Sequence, residues 1–566
     1  MGHRFKALAF ILSCQCFVAL SYGQAQRQPA ADLIITNAKV WTVDKAIPTA
    51  QAVAVLGDHI VAVGSNADAD VWRGPQTQVI DAAGKLLVPG FNDSHVHFIS
   101  GGAQLDNVQL NDVTSAEEFM RRIGEQVRAV PTGGWILGGD WDETKWSPAE
   151  IPTKHTIDSV TPDTPVFVSR YDGHMGLANS VALKLAGIDK STPEVPGGAI
   201  VRDAQGNPTG ALKDAAMSYI YKAIPQLTHE QRAHAAARAL AHAASVGVTS
   251  VQDMNPDYAD IAMYAELLER GQLTTQIYAA PPVAFVDDQA KVGVRHSFGG
   301  PFLRIGAVKG YADGSLGSRT AYFFDGFDDQ PENHGLLSDE MQPLSRMRGH
   351  MMTADAAGIQ ICTHAIGDQG ISMILDLYAE LVKAHGAADR RLRIEHCQHM
   401  AAKDFDRFDQ LNVIASVQPY HAIDDGRWAE ARIGHERSSR TYAFRTFLDH
   451  HVRLAFGTDW NVAPLNPMFT LYAAVTRATL DGKHPDGWFP EQKLTITEAI
   501  EAYTMGSAYA EFQEKSKGSI SAGKLADMVL LSDDILTIQP EKIRDVKVLK
   551  SFVGGKMIFD SSTIHN

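Results

Sequence analysis

From Leu86 onward, short apolar segments of strand length alternate with helical stretches, and this alternation constrains the fold more than any other feature. It demands a parallel sheet with helices packed outside it. Eight candidate strands can be read: Leu87–His95, Val248–Gln252, Gln276–Ala280, Leu303–Lys309, Ile359–His364, Leu392–His396, Val413–Val417 and Val452–Thr458. Eight such units predict an α/β chain built on a (β/α)8 (TIM) barrel. The helices between them carry their own signals. Thr228-His229-Glu230-Gln231 is a capping box opening an alanine-rich run, and Gly247 stops it. A doubly wound sheet is the alternative, but no glycine-rich phosphate turn follows an early strand.

The interval between the first two strands, about residues 101–228, is far longer than a βα connection. It predicts an inserted α/β domain with strand-like pieces at Trp135–Leu137 and Pro165–Ser169. Hanging from the end of a barrel strand, it should cover the site and shape substrate choice. Residues 32–86 and 506–566 are strand-rich and predict one small β-sandwich made by both chain ends, leaving 87–505 to the barrel.

At the N-terminus, Arg4 and Lys6 precede an apolar run from Ala7 to Leu20, and Gly23-Gln24-Ala25 offers a small-x-small cleavage site. Residues 1–25 therefore read as a signal peptide, with an uncleaved anchor as the alternative. The run is short for a membrane span, and no other stretch reaches the roughly 18 to 20 apolar residues a span needs. The mature chain is expected in the periplasm or outside the cell, without stable membrane insertion. Cys14 and Cys16 leave with the signal, so Cys362 and Cys397 imply no disulfide framework. A net charge of −15 gives no footprint for nucleic acid. A small-molecule substrate is expected, and a homodimer is compatible with the composition.

The chemistry gathers at predicted strand ends. His95 and His97 lie two residues apart in Pro89-Gly90-Phe91-Asn92-Asp93-Ser94-His95-Val96-His97, so both imidazoles can aim at one point inside the barrel. Imidazole suits zinc and its neighbours. His364 and His396 end the fifth and sixth candidate strands, and Asp459, in Gly457-Thr458-Asp459-Trp460, ends the eighth. Catalytic groups of barrel enzymes come from these strand ends. Lys309 ends the fourth, where a bare ammonium would repel a divalent ion. Carboxylation of its amine by CO₂ would give an anionic carbamate able to bridge two metals. An ion pair with Asp313 and a substrate-binding role for Lys309 are the other readings.

These residues resemble the amidohydrolase superfamily, specifically amidohydrolase family 3, which includes N-substituted formamide deformylases. The resemblance runs over nearly the whole mature chain, through His95-Val96-His97, Asp172-Gly173-His174, Gly247-Val248-Thr249, Lys309 with Asp313-Gly314-Ser315, His364-Ala365-Ile366-Gly367-Asp368, Gly457-Thr458-Asp459-Trp460 and Gly518-Ser519-Ile520. It implies one or two divalent ions, zinc foremost, held by His95, His97, Lys309, His364, His396 and Asp459. It also places His174, Asp313 and Arg319 near the substrate. Arg319 could instead be a loop-fixing ion pair, and His174 a surface residue of the insertion. The implied reaction is hydrolysis of a non-peptide C–N bond, such as an amide or formamide, by metal-activated hydroxide. Asp459 would serve as general base and acid, with Trp460 helping to exclude water. A metal-dependent esterase or lactonase, and more remotely a catalytically dead binding protein, are the alternatives.

Overall fold

The structure is a computed structural model that describes residues 29–130, 133–170, 175–195 and 198–563. The expected signal segment lies outside them. Nine short parallel strands carry the site, in two sheets whose spatial order follows the chain. One sheet runs Phe91–Val96, Val248–Met254, Gln276–Ala280, Leu303–Ile305. The other runs Ala307–Tyr311, Gln360–Ala365, Arg393–His396, Ile414–Val417, Leu454–Phe456. A parallel bridge Val96–Trp460 joins the edges of the two sheets at one seam, and at the other Pro282, just past Gln276–Ala280, bridges Lys309.

Every strand end expected from the sequence is within a few residues of an observed one, with two physical differences. The first expected strand is two: Leu86–Pro89 pairs antiparallel with Met528–Leu531, and after Gly90 the chain enters the parallel sheet as Phe91–Val96. The fourth is interrupted at Gly306, where the two sheets part.

Helices cover the outside. His229–Ser245 opens with a full capping box from Thr228 and Gln231, and presents Ala235, Ala236, Ala239, Leu240 and Ala243 as one buried face. Their i, i+3, i+4 spacing puts small side chains against helix Phe98–Gln104, which starts directly after His97. A large continuous core lies between strands and helices.

Both chain ends share one six-stranded sheet, in which Met528–Leu531 is flanked by Leu86–Pro89 and Val548–Val553. A four-stranded sheet formed by residues 33–81 packs on it through Leu33, Ile35, Val53, Leu87, Met528 and Phe552. Between the first two parallel strands, residues 108–214 form a separate six-stranded sheet with two apolar cores of its own. Among the described residues no helix is long and apolar enough to cross a membrane. Cys362 and Cys397 are buried free thiols.

Candidate metal centre

The ends of the parallel strands bring six of the ten sequence-predicted residues together. His95 is fully buried and donates from Nδ1 to Glu395 Oε2 at 2.8 Å. That fixes the tautomer and leaves Nε2 facing Asp459 Oδ1 at 3.5 Å and Lys309 Nζ at 3.3 Å. His97 Nε2 approaches the same Asp459 oxygen at 3.3 Å. His95, His97 and Asp459 thus offer three ligand atoms within 4.8 Å of one another.

The His396 ring lies 4.8 Å from His95 and 4.6 Å from His364, centroid to centroid. His396 donates from Nδ1 to Gln418 Oε1 at 2.9 Å, and His364 directs Nε2 to the Gly314 carbonyl at 3.2 Å. Each bond occupies one ring nitrogen and leaves the other free, an outer support typical of metal-ligating histidines.

Positioning costs backbone strain, and it sits where chemistry needs it. His396 and Asp459 are non-glycine residues with φ of 76° and 60°. Asp459 is held by its N–H to the His95 carbonyl at 2.7 Å and, one residue earlier, by Asp93. The Asp93 carboxyl accepts from Thr458 N and Oγ1 and from Tyr503 OH at 2.7–2.9 Å. Gly457 brings this segment against the first strand: a Cβ there would lie 2.6 Å from His95 N.

Electrostatics match the geometry. Desolvation, then the Lys309 charge, pushes His95 down to about 4 and His364 to about 3, so both are neutral with free lone pairs. His396 is driven well below the usual value for the same first reason, burial. Burial also lowers Lys309, toward a neutral amine. Desolvation raises Asp459, but its carboxyl still lies well below the usual range, the hydrogen bond from His97 being the largest lowering influence. Glu395, also raised by desolvation, is brought down to about 2 by the buried Arg393 guanidinium and the His95 bond. Neutral imidazoles around a fixed carboxylate are a donor set for a divalent cation.

The other four expected residues are placed differently. Asp313 spends its carboxyl on the backbone N–H groups of Tyr322, Ile366 and Gly367, 2.8–3.0 Å away, so it shapes the loop bearing His364. Lys309 stands against His95 and makes no ion pair with Asp313 among the described residues. Arg319 pairs with Asp329 at 2.7 Å. Trp460 is buried against Phe98 and His242. His174 lies outside the described residues.

Sequence reasoning missed His421, which follows strand Ile414–Val417 on helix Pro419–Asp425. Among the described residues its buried Nε2 has no hydrogen-bond partner and lies 4.0 Å from Asp459 Oδ2, and with His396 and Asp459 it completes a second group of close ligand atoms. The signal was a histidine just past a strand end, as at His97. Glu395 and Asp93 were also missed; each is a carboxylate within two residues of a predicted ligand.

Residues 78–559 match the profile of the Amidohydrolase family. Protein LONG AFTER FAR-RED 3 of Arabidopsis thaliana is 37% identical over 548 residues, covering 94% of this chain and 92% of that one. The N-substituted formamide deformylase of Arthrobacter pascens is 28% identical over 546 residues, covering 94% of this chain and 98% of its own length. An uncharacterized metal-dependent hydrolase from Pyrococcus horikoshii OT3 superposes with a TM-score of 0.77 at 27% identity, over 90% of this chain and 99% of that one.

Proposed function

The chain belongs to the amidohydrolase family, and from that premise we propose that it is a metal-dependent hydrolase cleaving a non-peptide carbon–nitrogen bond in a small molecule. The observation that carries this reading is the meeting of His95, His97 and Asp459 around one point, with Lys309 and the His364 and His396 rings beside it. The reaction class draws support from the likeness to a formamide deformylase along nearly the whole chain.

We read the two parallel sheets as one (β/α)8 barrel, with Leu303–Ile305 and Ala307–Tyr311 as halves of its fourth strand and the two bridges as its seams. The sheets at the chain ends read as a β-sandwich, and residues 101–228 as an inserted domain. His95, His97, Asp459 and Lys309 would hold one ion, and His364, His396 and Lys309 a second. Imidazole and carboxylate donors favour zinc. When bound, such an ion supplies Lewis acidity, which makes water a nucleophile near neutral pH and polarises a carbonyl.

The chain's own groups do the rest. Glu395, Gly314 and Gln418 fix the rings of His95, His364 and His396. Asp459 accepts the proton that the attacking water loses and returns it to the leaving nitrogen, so the amine departs neutral. Lys309, its neutral amine favoured by burial, adds through Nζ to CO₂; an N–C bond forms, a proton is released, and an anionic carbamate replaces the amine beside the histidines. The charged and apolar N-terminal pattern supports export of the mature protein.

The test is hydrolysis of N-formyl and N-acyl amines by zinc-loaded protein, followed by amine release. Turnover that a chelator abolishes and zinc restores is expected. Hydrolysis of esters or lactones with no amide turnover would overturn the assigned bond.

A further inference from the structure

A cavity of about 340 Å³ opens between the inserted sheet and the segment that follows Asp459. Its wall joins Gln104, at the end of the helix that begins after His97, to Asn461, two residues past Asp459, and to Asp140 of the inserted sheet. Seven helical residues rise about 10 Å, and two peptide units reach about 7 Å. The near wall therefore stands one small-molecule length from the ligand cluster.

The backbone at Asp140 is built to aim its side chain. Strand Gly138–Trp141 pairs with Phe167–Arg170, and the register breaks between Gly139 and Trp141, a bulge. Gly138, Gly139 and Asp140 have φ of 102°, 129° and 66°. A Cβ on Gly139 would fall 2.4 Å from the Ser169 carbonyl oxygen, so the close pairing of the two strands requires glycine. Trp141 anchors the bulge, its ring buried and its Nε1 donating to the Val168 carbonyl at 3.2 Å. Bulges re-aim side chains and gather beside active sites.

Among the described residues the carboxylate so presented has no hydrogen-bond or ion-pair partner, and the cavity walls desolvate it enough to raise its pKa. The same cavity is lined by Phe167 and Tyr221, whose rings meet edge to face with centroids 5.5 Å apart. A carboxylate and aromatic carbon lining one cavity suit an alkylammonium group, which makes a charge-assisted hydrogen bond to the one and apolar contact with the other.

We propose that Asp140 and this cavity bind a cationic amino group on the substrate, remote from the bond being cleaved. The substrate class is N-acyl derivatives of diamines or of other basic amines. This rests on the C–N hydrolase reading for the position of the cleaved bond, but the binding of the cation does not depend on it.

The test uses Asp140→Asn, because asparagine tolerates the left-handed conformation and keeps the side-chain shape. Calorimetry of zinc-loaded protein with a 1,5-diaminoalkane probe should show binding weakened about tenfold or more in the variant. Binding of the neutral 1-alkanol of equal length should be unchanged. The kcat/KM for an N-formyl diamine should fall in the same proportion, with that for a neutral N-formyl alkylamine unaltered. Equal diamine binding by wild type and variant would overturn the proposal. Asp140-dependent binding without hydrolysis of any amide would leave the cavity assignment standing and defeat the C–N reading. Hydrolysis of neutral amides with no diamine preference would do the reverse.

Discussion

The segment after Asp459 and the inserted sheet line one cavity, yet the strand ends and that sheet are built on opposite principles. At the strand ends almost every polar group is buried and paired: His95 with Glu395, Glu395 with Arg393, Asp93 with Thr458 and Tyr503. In the inserted sheet, Asp140 is exposed to the cavity on a bulge and carries no partner among the described residues. A satisfied polar network in a low-dielectric interior is rigid and sets protonation states. An unsatisfied carboxylate at a cavity wall is free to meet a ligand. In the proposed reading, the strands supply the chemistry and the insertion the choice of substrate.

Substitutions can break that division, and the largest effect belongs to the strands. Asp459→Asn should lower kcat about a thousandfold or more for every substrate while most of the metal stays bound, measured by turnover and elemental analysis in parallel. Retained turnover would remove Asp459 from the proton transfer. Glu395→Gln, which frees the His95 ring without touching a ligand, should weaken metal affinity about ten- to a hundredfold, read by competition with a chromogenic chelator. Gly139→Ala should alter substrate preference and cost about 1–3 kcal/mol by denaturant unfolding, with metal content unchanged, because the added Cβ forces the two strands apart. Loss of metal in that variant would show that the two regions are not separable.

The last effect touches stability alone and is a pH dependence. Burial, then the Arg437 charge, lowers His399 to about 3, against 6.5 for the free side chain. The unfolded chain therefore takes up the proton first as pH falls. The neutral residue's contribution is present above about pH 6.5 and is lost toward pH 3, by up to about 1.4 kcal/mol per pH unit. The difference in unfolding free energy between wild type and His399→Asn should shrink across that window. A difference independent of pH would contradict a buried, neutral His399.

How much of this was legible beforehand follows from physical range. The strand ends could be read because period, apolar runs and histidines coincide locally, as at Phe91–His97 and Arg393–His396. The inner supports could not, because His95 meets Glu395 only across 300 positions of chain. The register of the inserted sheet was equally hidden: the bulge at Gly139 is a relation between two strands, and Gly138-Gly139-Asp140 alone reads as a turn. Asp313 was expected near the substrate because the resemblance to amidohydrolase family 3 placed it there. Its role at the loop carrying His364 depends on three N–H groups that only the fold assembles.

The central claim is that the strand-end cluster is a metal site completed by Lys309. Elemental analysis of the zinc-loaded mature protein, with Lys309→Ala alongside, tests it most directly. The account predicts about two equivalents of zinc per wild-type chain and a sharp loss in the variant. Metal content unaffected by the substitution would remove Lys309 from the site, and no bound metal after reconstitution would contradict the hydrolase reading itself.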